Sequence, residues 1–217
     1  MGQTHLDSPR MEGTALIRNE PVQARSAARL TALLDAAARV IDEIGYERLT
    51  TAMVADHAGA SIGTVYRYFP DRIAVLQSLA ARNAERTSGR VLAEIDNPDH
   101  DDWMTALGAG FQHIVLAFRD EPGFASLRYG DVLDLRPASG VPALQAFGDR
   151  VFDALASRFG LDTSDAARAA FAAGVVAADA LAARAFAVDR EGDPRFLEAG
   201  GAATAALLAP YWGAPAQ

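Results

Sequence analysis

The sequence predicts an all-α fold of about nine helices, and three observations carry that prediction. Apolar residues recur three or four positions apart in one segment after another, the spacing of a helix with one buried face. The segments open on Ser, Thr or Asp, which cap helix starts, and close on glycine or proline, which stop them. No β-type alternation, glycine-rich phosphate loop or internal repeat interrupts the series.

Composition bounds what such a chain can do. Its 217 residues are half hydrophobic, enough to bury a sizeable core. Cysteine is absent, which excludes disulfides, thiolate catalysis and cysteine-based zinc sites. The N-terminus lacks the apolar segment of a secretory signal and no run of about twenty unbroken apolar residues occurs, so a cytoplasmic protein with no membrane partner is expected. The net charge of −8 is unfavourable for contact with nucleic acid, but it is unevenly spread. Residues 1–90 hold eleven arginines and ten acids, whereas residues 91–217 hold nine arginines and eighteen acids. The acid therefore lies in the C-terminal part, and the N-terminal part is free to approach phosphates.

In chain order, residues 1–24 show no sustained period, contain Pro9, Gly13 and Pro21, and read as a flexible N-terminal arm. Arg10 and Arg18 there, with Arg25 just beyond, are either scattered charge or a basic arm for DNA. Leu30, Leu33, Leu34, Ala37, Val40, Ile41 and Ile44 predict a helix over Ala27–Ile44, stopped by Gly45. Thr50 or Thr51 caps a short helix, Ala52–His57; Gly59 turns the chain; Ser61 caps a second, Ile62–Tyr68. Val65 and Phe69 face inward, Pro70 ends the helix, and Asp71 caps a longer one reaching Ile95.

Two short helices joined by a tight turn can present the second one to a DNA major groove. Residues 25–72 are the expected helix-turn-helix DNA-binding domain. Gly63 lets the backbone come near, Thr64 offers a hydroxyl and a methyl to a base edge, and Ile62 suits a thymine methyl. Tyr66 and Tyr68 can donate to phosphates, Arg67 and Arg72 bring charge, and Thr51 and Ser61 place hydroxyls at helix starts.

The run AARVIDEIGYERLTTAMVADHAGASIGTVYRYFPDRIAVL resembles the DNA-binding domain of the TetR family of bacterial transcriptional regulators. The matching elements are Gly45-Tyr46, Ala58 to Tyr66, and Tyr68-Phe69-Pro70-Asp71-Arg72. Relatives commonly carry lysine at the positions of Ile62 and Arg72; Arg72 keeps the charge and Ile62 does not. The resemblance implies a homodimer on a double-stranded operator. It also implies that helix 71–95 connects the DNA-binding domain to an effector-binding and dimerisation domain over residues 73–217.

The remaining helices are predicted from Trp103 to Phe118, Phe124 to about Leu133, Leu144 to Phe159, Ser164 to Val188, and from Asp193 onward. A loop spans Pro137–Pro142. His100 among Asp99, Asp101 and Asp102 invites a metal reading, but a short acidic link before a helix also simply caps it, and no metal or cofactor is expected. In the family this region encloses an effector pocket, for which the candidate wall is Trp103, Phe111, Val115, Phe118, Phe124, Leu127, Phe147, Phe171, Val175 and Asp179. Tyr129 and Phe152 are further aromatics of the region, and Gln112, His113, Arg128 and Arg184 are further polar candidates. Small residues let helices approach closely, so Ala170, Gly174, Ala182, Gly200, Ala203 and Leu207 are the candidate dimer interface, ordinary packing within the chain being the alternative.

Four dispersed histidines and no Ser-His-Asp order, paired acids or phosphate loop give an enzyme no support. The expected function is a ligand-responsive repressor released from a palindromic operator by a small, largely apolar molecule. A transcriptional activator or a ligand-independent DNA binder remains the alternative, with a helical small-molecule-binding protein or enzyme behind it.

Overall fold

The structure, a computed structural model, describes the backbone of residues 15–130 and 142–213 and the side chains within them from residue 23 onward. Among these residues there are nine α-helices, one 3-10 turn and no strand. The helices are α1 Ala15–Ile44, α2 Thr51–His57, α3 Ile62–Tyr68, α4 Arg72–Ile95, α5 Trp103–Asp120, α6 Phe124–Leu127, α7 Ala143–Phe159, α8 Asp165–Val188 and α9 Pro194–Trp212. The 3-10 turn, Tyr46–Arg48, links α1 to α2.

The capping residues act where their chemistry dictates. Thr50 Oγ1 accepts from Met53 N–H at 3.2 Å, Ser61 Oγ from Thr64 N–H at 3.2 Å, and Asp71 Oδ1 from Ala74 N–H at 2.8 Å. Asp102 receives both Met104 and Thr105 N–H at 2.9 Å, so the acidic link before α5 serves as a cap. Each such cap is worth about 1 kcal/mol.

Two element boundaries depart from the spacing rules. α1 begins at Ala15, not Ala27, so residues 15–24 of the expected arm are helical and Pro21 lies inside the helix. Residues 23–29 are all exposed, so no buried face exists there to leave a period. Gln23, Ala24, Arg25, Ala27, Ala28 and Arg29 carry the helix on propensity alone. The first fourteen residues, Arg10 among them, lie outside the described residues, as does most of the expected Pro137–Pro142 loop.

The second departure is α6, which stops at Leu127 where the apolar pattern continues toward Leu133. Arg128 takes φ 44° and ψ −121°, a backbone conformation that favours glycine, and Asn83 Nδ2 donates to its carbonyl at 3.4 Å. A contact made 45 residues away in sequence thus ends the helix.

Two hydrophobic cores share α4, which at about 1.5 Å per residue is roughly 36 Å long. The first core collects Leu33, Ala37, Ile41, Val54, Val65, Phe69, Leu76 and Leu79 from α1 to α4. The second collects Val91, Ile95, Trp103, Phe118, Phe152, Phe171 and Trp212 from α4, α5 and α7 to α9. α6 stands between them: Leu127 belongs to the first core and Phe124 to the second, both fully buried. Gly123, just before α6, donates its N–H to Asp42 of α1 at 3.0 Å. A methyl group on Gly123 would come within 2.8 Å of Ala38 O, and its φ of 71° is strained for any other residue.

At the far end of α4, Glu94 sits between two histidines. His100 Nε2 lies 2.7 Å from Oε1 and His113 Nε2 3.2 Å from Oε2, while Asn97 donates to Oε1 at 3.2 Å. Arg158 of α7 donates to the carbonyls of Ile95 and His100 and holds the same corner. The bonds from His100, then His113, then Asn97 hold the Glu94 carboxyl at about 2, below its ordinary 4.5. A depressed carboxyl stabilises the fold above its unfolded-state value, and that contribution disappears as pH falls from about 4.5 toward 2. Glu94→Gln is therefore expected to lower the melting temperature at neutral pH and to show a shallower loss across that acid window than the parent chain. Thermal unfolding followed by circular dichroism at stepped pH checks this, and parallel curves would refute it.

Candidate nucleic-acid interface and internal cavity

The first site is built on α2 and α3. Val65 and Phe69 are buried beneath α3, which turns the rest of the helix outward. Ser61, Ile62, Gly63, Tyr66 and Arg67 are exposed, and Thr51, Thr64, Tyr68 and Arg72 are half-buried. Large apolar surface on this face is left exposed by the described residues: Tyr66 is 53% exposed, Ile62 43% and Met53 38%. Exposed side chains of that kind, rimmed by polar groups, mark a contact surface.

Hydrogen bonds set the shape of the face. Thr51 Oγ1 donates to the Tyr66 hydroxyl at 3.3 Å, which ties the start of α2 to the middle of α3. Ser26 of α1 and the Tyr68 hydroxyl lie 3.2 Å apart, which brings the exposed part of α1 beside the end of α3. Ser61 and Thr64 hydroxyls are 2.9 Å apart across the first turn of α3. Arg72 reaches backwards and donates to Glu47 O at 2.5 Å and Tyr46 O at 3.5 Å. Its guanidinium thereby clamps the 3-10 turn against α4, a structural duty that nothing in its spacing from the turn announces.

The second site is a cavity of about 370 Å³ lined by residues of α4, α5, α7, α8, α9 and the turn after α6. That volume falls within the range of small-molecule pockets. Trp103, Phe111, Phe147, Phe171, Val175 and Asp179 of the expected wall line it. Val115, Phe118, Phe124 and Leu127 do not. Phe118 stacks on Phe186 at 5.1 Å and meets Phe124 edge-on at 5.2 Å, Leu127 lies in the first core, and Val115 is half-buried off the wall. Trp103, Phe111 and Phe118 share one stripe of α5, but periodicity reports the face of a helix and not the depth along its axis at which a cavity closes.

Residues missing from the expected wall include Val91, Leu107, Ile114, Tyr129 and Leu144, together with the small residues Gly108, Ala178, Gly201, Ala202 and Ala205. Small side chains leave the space, so an alanine-rich stretch signals a cavity wall as well as a helix contact. Of the polar candidates, His113 binds Glu94, Gln112 is exposed, and Arg184 lies 5.8 Å over the Phe196 ring. Asp179 is on the wall, with Arg128 Nε 3.5 Å from its Oδ1.

The small-residue helices pack first on each other. Gly174 faces Thr204, and Gly200 faces Ala178 and Leu181, so these glycines lie between α8 and α9 of one chain. Gly174 and Gly200 are buried there and Ala182 in the second core, all spent on intrachain packing, while Ala170 and Ala203 are half-buried and Leu207 is 39% exposed. A different stripe of α8 faces outward: Ala169, Ala173, Val176, Ala180 and Ala187, with Val176 59% exposed. α8 is long and apolar enough to cross a membrane by length and composition, yet only 22% of its most apolar stretch is buried in the chain.

Two family models match the chain. One, described as bacterial regulatory proteins of the tetR family, covers residues 33–79, and the other, a tetracyclin repressor-like C-terminal domain, covers residues 101–211. The HTH-type transcriptional repressor KstR of Rhodococcus jostii (strain RHA1) is 40% identical over 58 residues, which is 27% of each protein. The match thus spans about a quarter of that repressor's length. A TetR-family transcriptional regulator from Streptomyces coelicolor superposes with a TM-score of 0.72 at 31% identity, over 85% of this chain and 98% of its own. The SmeT–triclosan complex superposes with a TM-score of 0.58 at 20% identity, over 85% of this chain and 92% of its own, a likeness of fold.

Ser61 separates stability from surface. Ser61→Ala is expected to cost about 1 kcal/mol in chemical unfolding by removing the α3 cap, and Ser61→Asp to recover most of it. Equal losses in both variants would show that the side chain is not acting as a cap.

Proposed function

The chain belongs to the TetR family of bacterial transcriptional regulators, and from that premise we propose that it is a cytoplasmic homodimeric repressor, released from a palindromic operator by a small, largely apolar effector. The observation that carries the DNA contact is the uncovered face of α3, where Ile62, Tyr66 and Arg67 project beside Gly63 and Thr64. Its N-terminal end suits base edges, and the flanking hydroxyls and arginine suit phosphates. Tyr68 and Thr51 are phosphate donors in the same reading, and Arg72 contributes charge from its clamped position.

A second copy is the natural cover for α8. The outward stripe around Val176, together with Leu207 and Tyr211 of α9, fits a two-fold helix interface. Pairing sets two α3 helices at the spacing of successive major grooves and doubles the sequence read. Among the earlier interface candidates, Ala170, Ala203 and Leu207 remain available for it.

The cavity is the effector site in this reading. SmeT, solved as a complex with triclosan, shares the fold, which supports a small-molecule ligand for this chain as well. Binding shifts the equilibrium only by the difference in affinity between the DNA-competent and DNA-incompetent states. α4, common to both cores, is the element through which the two states communicate. Among the described residues no arrangement of acid, base and nucleophile asks for catalysis, and in this reading the protein acts by binding.

Four experiments test this. Site selection from random DNA should recover a palindrome, and a compound screen should find molecules that both raise the melting temperature and release that DNA; failure of either removes the corresponding half of the proposal. Arg67→Ala should weaken operator binding about 5- to 100-fold and lower the slope of log K against log salt by about 1, with folding unchanged. An unchanged slope at unchanged affinity would take Arg67 off the contact surface. Val176→Glu should convert dimer to monomer in sedimentation equilibrium and abolish tight operator binding; a parent chain that is monomeric at micromolar concentration would defeat the dimer.

A further inference from the structure

We propose that the cavity selects a cationic amphiphile, an apolar and preferably aromatic body ending in a protonated amine that the Asp179 carboxylate holds in place of Arg128. The proposal rests on the reading of the cavity as the effector site and adds the chemistry of its ligand.

Three features of the wall point to a cation. Aromatic rings of Trp103, Phe111, Tyr129, Phe147 and Phe171 surround the space, and aromatic faces attract ammonium groups. Asp179 supplies the one carboxylate among the described wall residues, and no described wall residue is basic. A ligand carboxylate or phosphate would bring like charge to Asp179, and a wholly apolar ligand would offer that side chain no polar contact. A protonated amine instead gains a charge-assisted hydrogen bond in a low-dielectric site.

Arg128 is placed as one competitor that such a ligand displaces. Its Nε stands 3.5 Å from Asp179 Oδ1, whereas Arg195 grips Asp193 through two contacts of 3.0 and 2.6 Å. Its backbone holds φ 44° and ψ −121°, a strained conformation for arginine. The same residue's carbonyl accepts from Asn83 of α4, and α6, which it terminates, carries Leu127 into the first core. Replacement of the guanidinium by a ligand cation frees Arg128 to relax. That loosens its bond to α4, along the path that leads to α3.

The test uses full-length protein and three probes with one apolar body: 4-phenylbutylamine, 4-phenylbutanol and 4-phenylbutanoate. Calorimetry and melting shifts should rank the amine first, about tenfold tighter than the alcohol, and the carboxylate last. In Asp179→Asn the amine–alcohol gap should shrink to about twofold or less, with alcohol binding retained. In Arg128→Gln, which removes the competing charge and keeps the stem, the gap should widen. Tightest binding by the carboxylate, a gap unchanged in Asp179→Asn, or no binding of any probe overturns the proposal. Should Asp179→Asn fail to fold, an unchanged or narrower gap in Arg128→Gln overturns it equally. The effector-site reading itself is judged by the compound screen, so a screen that yields anionic or neutral releasers would sink the cation and keep the site.

Discussion

The approach of Gly123 to α1 is the contact on which the arrangement of the two cores depends. Its N–H meets Asp42 and its Cα lies so near Ala38 O that no side chain fits. That closeness lets a four-residue helix insert Leu127 into one core and Phe124 into the other. Without it α6 would lose its seat on α1, and α4 alone would join the DNA-binding helices to the rest. Packed interiors shift between discrete arrangements and do not stretch, so a wedge of this kind suits transmission between distant sites.

Charge is distributed to match. Several acids of the C-terminal part are engaged in local tasks: Asp102 and Asp193 cap helices, Glu94 ties α4 to α5, and Asp149 and Asp153 pair with Arg168. On the α2–α3 face, by contrast, tyrosine, arginine and hydroxyl groups stand outward with little acid among them. A chain of net charge −8 can therefore present a surface suited to phosphates.

Most of the helix-turn-helix was legible because its signals are local. A Ser or Thr cap bonds an N–H two or three residues away, a glycine turn is closed by its immediate neighbours, and Val65 and Phe69 lie one turn apart. The cavity was legible only in part. Six of its wall residues were named among the aromatics and neighbours of a region that the family resemblance marks as a pocket, but the small residues that create the space carry no signal distinct from close helix packing. The same ambiguity drew Gly174 and Gly200 toward a subunit interface, when they lie between α8 and α9 of one chain. Arg72 shows a further limit: its charge was evident, but its bond to Glu47 O crosses 25 residues of sequence.

The sequence by itself determined the all-α class, the caps and stops of nearly every helix, the inward face of α3 and the family, because each rests on interactions within one or two turns of chain. The tertiary structure alone decided where α6 ends, how deep along α5 the cavity closes, which small residues face a neighbour helix or open space, and that Asp179 meets Arg128. Those outcomes depend on contacts between segments far apart in the chain, and an apolar or small residue looks the same in sequence whichever neighbour it will meet.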